Sequence, residues 1–156
     1  MPTIIKPWLQ YWINQIVNEL DIKPEIVLEE VISKKIYNEE PGYALGRRII
    51  IRKYPGIPRD EVRWVTAHEL RHVWQNTKYK RNSLWLEADR DRLIKILIEH
   101  EKRNEKSMRK AERYVKQKRA RTINSAFMHI VMHKYHDILP EEVDAIVYAN
   151  SKIRRP

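Results

Sequence analysis

Apolar residues recur at helical spacing near the start of the chain and through most of its second half. Residues 7–20 place them three or four positions apart, after a proline suited to a first helical turn, which predicts an opening helix. The same spacing predicts helices from about 58–60 to 76, from 84 to about 101 and over 122–138. A last short helix is expected from Pro140, where two acids follow the proline.

The segment 24–54 has a different pattern, made of short runs rich in β-branched and aromatic residues. These runs are EIVLEEVI, KKIY, YALG and RRIIIRKY, with Pro41-Gly42 and Gly46 between them. Such runs predict two to four strands of a small sheet, and YPGIP at 54–58 ends it. The predicted fold is therefore α+β, with a small, mostly antiparallel sheet packed on the 58–76 helix and a helical C-terminal half.

Composition narrows the class of protein without defining it. The 156 residues suit one domain, and 42% hydrophobic residues suffice for a core. With no cysteine in the chain, a disulfide scaffold, a cysteine-ligated metal and a cysteine nucleophile are excluded. No apolar run approaches the roughly 18 residues of a membrane span, and no signal peptide is recognisable. A cytoplasmic protein without membrane association is expected.

The 58–76 helix contains the sequence His68-Glu69-x-x-His72. Residues four apart on a helix have Cβ atoms roughly 5–6 Å apart, so two imidazoles at that spacing can bind one Zn²⁺. Glu69 lies beside the first histidine, where it can act as general base on zinc-bound water and then as general acid. The alternative is an ordinary helix whose two histidines make hydrogen bonds.

A catalytic zinc site needs a third protein ligand, and two segments offer one. In WLEADRDRL, Glu87 and Asp91 are four apart, so Glu87 can bind the ion while Asp91 accepts a hydrogen bond from a ligand histidine. The rival is Glu142 in PEEVDAIVYA, whose acids also suit an ordinary helix start. We prefer Glu87, because it brings Asp91 at the right spacing.

HELRH followed by EADRD resembles the signature of the gluzincin metallopeptidases, H-E-x-x-H on one helix and E-x-x-x-D on the next. The segment AHELRHVWQ also resembles the corresponding segment of small zinc-peptidase-like proteins of phages and bacteria. The resemblance covers roughly residues 25–100. It implies a zincin-like domain that cuts peptide or protein substrates, with zinc on His68, His72 and Glu87, Glu69 as base, and Asp91 behind a ligand. It also implies that RRIIIRK lies along the cleft and pairs with substrate.

The chain departs from the larger gluzincins, because only about 55 residues follow the predicted glutamate helix. No transition-state stabiliser can be assigned by motif, and the candidates near the C-terminus are His129, His133, His136 and Tyr148. The three histidines stand at i, i+4 and i+7, which predicts one helical face. We divide the single domain into a catalytic core over about 1–101, a basic helical arm over 102–121 and C-terminal helices over 122–156.

The basic arm carries most of the chain's net charge of +10. Residues 102–121 hold ten basic and two acidic residues, a local net charge of +8. Such a segment is a solvated helix or hairpin, or it binds nucleic acid or an acidic protein. An alternative function is therefore a DNA-associated protein, either a protease recruited to nucleic acid or a non-catalytic binder with a structural metal site.

Overall fold

The computed structural model describes residues 4–77 and 84–153, with side chains from residue 89 onward in the second range. Within these residues the α+β prediction is confirmed: seven α-helices accompany one three-stranded sheet. The helices are α1 (Pro7–Leu20), α2 (Lys34–Glu39), α3 (Arg59–Thr77), α4 (Leu84–Lys102), α5 (Glu105–Lys116), α6 (Ile123–Lys134) and α7 (Pro140–Lys152). The strands are β1 (Glu25–Glu30), β2 (Gly42–Leu45) and β3 (Arg48–Lys53).

The sheet is mixed rather than mostly antiparallel. Its order is β1-β3-β2, with β1 parallel to β3 and β2 antiparallel to it. Strand β3 is central, with its alternating Ile49 and Ile51 fully buried, whereas the four-residue β2 forms an edge. The expectation that RRIIIRK offers its edge to a substrate is therefore wrong, since both of its edges are paired.

One predicted strand is a helix. The run KKIY lies in α2, because the Ser33 side chain accepts a hydrogen bond from the Ile36 backbone N–H and caps the helix. Tyr37 then points into the core, packs edge-on against Tyr54 and donates a hydrogen bond to Glu61. Local capping thus overrides the β propensity of the isoleucine and tyrosine in this run.

The chain forms two compact units. The first comprises residues up to 83 together with 144–156, and the second comprises 84–143. Helix α7 runs without interruption across the division, so its first turn is continuous with the part that belongs to the first unit. The single domain with its core, arm and C-terminal helices stays a prediction.

The first unit has a core built from α1, α3 and the sheet. Its most buried side chains are apolar and come from each of these elements: Leu9, Ile13, Ile16, Ile49, Ile51, Leu70 and Val73. Helix α3 is buried along most of its length, since residues 64–70 are all buried and lie on every face of the helix. Among the described residues, no helix combines the length and apolarity that crossing a membrane requires.

The second unit has its own small core, where α5 and α6 pack together around Ala111, Phe127 and Ile130. The carboxylate of Glu101, at the end of α4, is fully buried there. It accepts hydrogen bonds from Ser107, Tyr135 and Lys134, the last at 2.9 Å. Burial alone would raise the pKa of Glu101, but these hydrogen bonds lower it to about 2.

Candidate metal centre

Helix α3 places the two motif histidines side by side, as the sequence predicts. The Nε2 atoms of His68 and His72 are 3.2 Å apart, and the two rings stand nearly perpendicular. His68 is buried and stacks on Trp64, with ring centroids 5.2 Å apart. Acids in the first turn and apolar residues facing the sheet fix this helix, so the histidines project from a rigid support.

The separation of the two nitrogens fits a shared zinc ion. Two ligands about 2.0–2.1 Å from an ion at a tetrahedral angle lie about 3.3–3.4 Å apart. The observed 3.2 Å between Nε2 atoms is close to this value. Without metal the same distance is a hydrogen bond between two neutral imidazoles, so the nitrogen pair alone does not define a metal site.

Helix α7 contributes the third member of a group that could hold a metal ion. Each of His68, His72 and Glu142 offers one ligand atom, and the three atoms lie within 4.8 Å of one another. Glu142 lies in the first turn of α7 and is 7% exposed. Two imidazoles and one buried carboxylate are the donor set of a catalytic zinc site with an open position. The side chain of Glu87 lies outside the described residues, and the preference for it stays a prediction.

A chain of hydrogen bonds behind His72 fixes which ring nitrogen faces the ligand cluster. The Asp144 carboxylate only accepts, so the Gln75 amide N–H, 2.8 Å away, donates to it. The Gln75 Oε1 atom then faces His72 Nδ1 at 2.8 Å, and that nitrogen must carry the proton. His72 therefore presents the lone pair of Nε2, which is the atom a metal needs.

Asp144 itself is held by an arginine on α3. Arg71 Nε and Nη2 donate to the two carboxylate oxygens at 2.8 and 3.2 Å, a bidentate geometry. The Arg71 guanidinium also stacks over Trp74, 3.8 Å from the ring centroid. Burial would raise the pKa of Asp144, but the hydrogen bonds from Arg71 and Gln75 lower it. The carboxylate stays charged and keeps α7 next to the motif helix.

Glu142 also pairs with a histidine. His136 Nε2 lies 3.1 Å from Glu142 Oε1, and this hydrogen bond raises the pKa of His136 to about 9. The prediction that His129, His133 and His136 share one helical face is wrong for His136, because the helix ends before it. Helix α6 ends at Lys134, and His136 lies in the 3-10 turn His136–Ile138 that leads to Pro140. His129 and His133 remain adjacent, with centroids 4.7 Å apart.

Glu69 points to the sheet side of the motif helix and is 6% exposed. Its neighbour is Gly42, the first residue of β2. A Cβ atom on Gly42 would lie 3.2 Å from Glu69 Cγ and 2.8 Å from the Ile50 carbonyl oxygen. Glycine is thus required for β2 to approach α3 this closely, and the approach brings the edge strand beside the predicted base.

The remaining predicted site residues have other contacts. Asp91 is exposed on α4, with an oxygen 3.9 Å from Arg90 Nη1. His133 is exposed on α6 beside His129. The Tyr148 hydroxyl donates to Glu19 at 3.3 Å, and burial together with that carboxylate raises the pKa of Tyr148. The predicted roles of these three residues stay predictions.

Gln75 and Asp144, which form the chain of hydrogen bonds to His72, were not predicted from the sequence. Gln75 is three residues after His72 and therefore on the same helical face, which is a readable signal. Nothing in the sequence pairs it with Asp144, 69 positions later.

The chain matches no protein-family model, no curated protein and no solved structure.

Proposed function

We propose that this protein is a zinc-dependent metallopeptidase of minimal gluzincin type, with zinc held by His68, His72 and Glu142. The proposal depends on one observation, the convergence of two imidazole nitrogens and one buried carboxylate within 4.8 Å. The third ligand is then a glutamate from a later helix, as in the family that the sequence resembles, although it is not the glutamate the sequence favours.

Glu69 is the residue that would move protons. It directly follows His68 in sequence and is not a member of the cluster. Its side chain is buried, and a positioned carboxylate is a common general base. Glu69 would take a proton from the attacking water and deliver it to the leaving amine. When bound, zinc would lower the pKa of a water molecule and polarise the scissile carbonyl.

The substrate would be an extended peptide that lies along β2. This strand is paired with β3 on one side, and among the described residues no strand pairs with its other side. An extended peptide can extend such an edge by backbone hydrogen bonds. Gly42 brings this edge next to Glu69, so a carbonyl of the bound peptide would lie near the base.

Hydrolysis of an unfolded, fluorescently labelled casein tests the enzymatic part of the proposal. Wild type with one equivalent of Zn²⁺ should cleave it. Glu69→Gln should bind zinc normally and lose at least about 100-fold in rate, because it keeps the ligands and removes the base. Glu99→Gln, an equivalent substitution of an exposed glutamate on α4, is the matched control. Equal rates for Glu69→Gln and wild type would leave only a structural metal site.

Zinc titration of two alanine variants tests the ligand set. Glu142→Ala should lower zinc affinity by more than about 100-fold, since losing a ligand costs more than losing a residue behind one. Glu87→Ala should have a smaller effect. The reverse order would move the third ligand to α4, and unchanged affinity in both His68→Ala and His72→Ala would remove the metal site altogether.

A further inference from the structure

Helix α5 carries a stripe of basic side chains opposite its buried face. Ser107, Ala111 and Tyr114 are the buried residues and pack toward the core of the second unit. At about 100° per residue, the cations fall within an arc of about 120° on the other side, spread over about 15 Å of helix. This basic stripe consists of Lys106, Arg109, Lys110, Arg113 and Lys116, all exposed.

The charge of the stripe is largely uncompensated. Among the described residues, Arg109 is the stripe member with a carboxylate partner, Glu105 at 2.7 Å. The other members of the stripe are like charges three or four positions apart, and such pairs destabilise an isolated helix. The turn after α5 adds Lys118, Arg119 and Arg121, all exposed. Glu105 and Glu112, the two acids of α5, lie at one edge of the stripe and not within it.

The composition of the stripe favours nucleic acid over an acidic protein. Protein–protein interfaces have a core enriched in aromatic residues and depleted in lysine. The stripe has three lysines, two arginines and no apolar side chain. Protein–DNA interfaces are polar and strongly positive, and phosphate contacts supply most of their non-specific affinity.

The surroundings of Tyr114 favour a duplex over a single strand. Single strands bind by stacking bases on exposed aromatic rings. Tyr114 is 8% exposed, and Arg119 and His129 cover its ring at 4.3 and 5.6 Å from the centroid. A helix about 10–12 Å wide fits the roughly 12 Å major groove of B-form DNA, whereas the A-form groove is too narrow.

We propose that α5 and the following turn 117–121 bind the phosphates of duplex DNA without sequence preference. The inference depends on the second unit alone and is independent of the proposed zinc chemistry. Five phosphate contacts, one for each cation of the stripe, predict a slope of about −4.5 for log affinity against log salt, or roughly a 500-fold loss between about 50 and 200 mM salt. Contacts from the turn would make the slope steeper. Fluorescence anisotropy of the full chain with two unrelated 20-base-pair duplexes measures both slope and sequence preference.

The decisive comparison is between two double variants with the same change in net charge. Lys106→Gln/Lys110→Gln removes two stripe cations, and Lys34→Gln/Lys35→Gln removes two exposed lysines from α2. The first should reduce the salt slope by about 2 and the affinity at least about tenfold at low salt. Lys34→Gln/Lys35→Gln should leave the salt slope unchanged and the affinity within twofold of wild type. Circular dichroism should show that both double variants are folded.

Several results would overturn the inference. Equal losses in the two double variants would mean that only net charge matters. A single strand of the same sequence binding as tightly as the duplex would exclude a preference for duplex DNA. Polyglutamate competing as well as duplex DNA at equal charge would point to an acidic protein partner. Because His68→Ala should bind DNA like wild type, a failure of the zinc proposal leaves this test unaffected.

Discussion

The chain of hydrogen bonds behind His72 leads to a prediction about Gln75, a residue that is not among the proposed zinc ligands. In Gln75→Leu the side chain keeps its approximate size but loses the amide that orients His72. The Nδ1 atom then has no acceptor at 2.8 Å, and the ring is no longer held with its Nε2 lone pair toward the cluster. We expect zinc affinity to fall about 10–100-fold, which equals about 1.4–2.7 kcal/mol.

The assay is competition between the protein and a chromophoric zinc chelator at pH 7.5. Thr66→Val is the matched control, because Thr66 is a fully buried polar residue of the same helix. Its hydroxyl donates a hydrogen bond to the Val62 carbonyl oxygen. Thr66→Val should lower stability slightly and leave zinc affinity unchanged. Imidazole ¹⁵N shifts of His72 in the metal-free protein supply a second readout, since wild type should show a protonated Nδ1 and Gln75→Leu a mixture of tautomers.

Zinc affinity of Gln75→Leu within twofold of wild type, together with loss of binding in His68→Ala, would refute this reasoning. The ligands would then be correct and the chain of hydrogen bonds irrelevant to them. A loss of equal size in Thr66→Val would show instead that any weakening of α3 releases the metal.

Two further predictions concern other parts of the chain. Gly42→Ala should lower the free energy of unfolding in urea by about 1–3 kcal/mol and reduce hydrolysis, because its Cβ would meet Ile50 and Glu69. The control Gly46→Ala, in open space at φ +59°, should lower it by only about 1 kcal/mol. Equal losses in the two variants would contradict the close approach of β2 to α3. Glu101→Gln should cost about 2–3 kcal/mol at pH 7. Because the pKa of Glu101 is lowered from 4.5 to about 2, its stabilisation is complete above pH 4.5 and is lost as the pH falls toward 2. The difference between wild type and Glu101→Gln should therefore narrow between pH 7 and pH 2, and a constant difference would argue against the lowered pKa.

The periodic elements were predictable from the sequence, because their signals are local. The opening helix, the motif helix and α7 have the bounds that proline positions and apolar spacing indicate. The sheet was only partly predictable. Which strand is central depends on partners more than twenty positions apart, as between Ile26 and Ile49. Likewise, KKIY was read by β propensity although a serine cap decides its conformation.

The candidate site divides in the same way. His68, Glu69 and His72 follow from spacing on one helix, and their adjacency needs nothing beyond helical geometry. The third ligand depends on which later helix packs against α3, and spacing within a helix carries no information on that. The pairing of Glu87 with Asp91 satisfied a motif, whereas Glu142 satisfies the distances among the described residues.

What places Glu142 is the ion pair between Arg71 and Asp144, rather than anything in the immediate sequence of the ligand. Asp144 is two residues after Glu142 on one continuous helix, and the bidentate contact fixes the position of that helix beside His72. Trp64 donates a second interhelical hydrogen bond, to Asn150 at 2.8 Å, which fixes the direction of α7. Arg71 and Gln75 both contact Asp144 from α3, so the same carboxylate would position the proposed third ligand and orient the proposed second. Removing Asp144 would therefore disturb two ligands at once, and its effect on zinc affinity should exceed that of Gln75→Leu, which disturbs one.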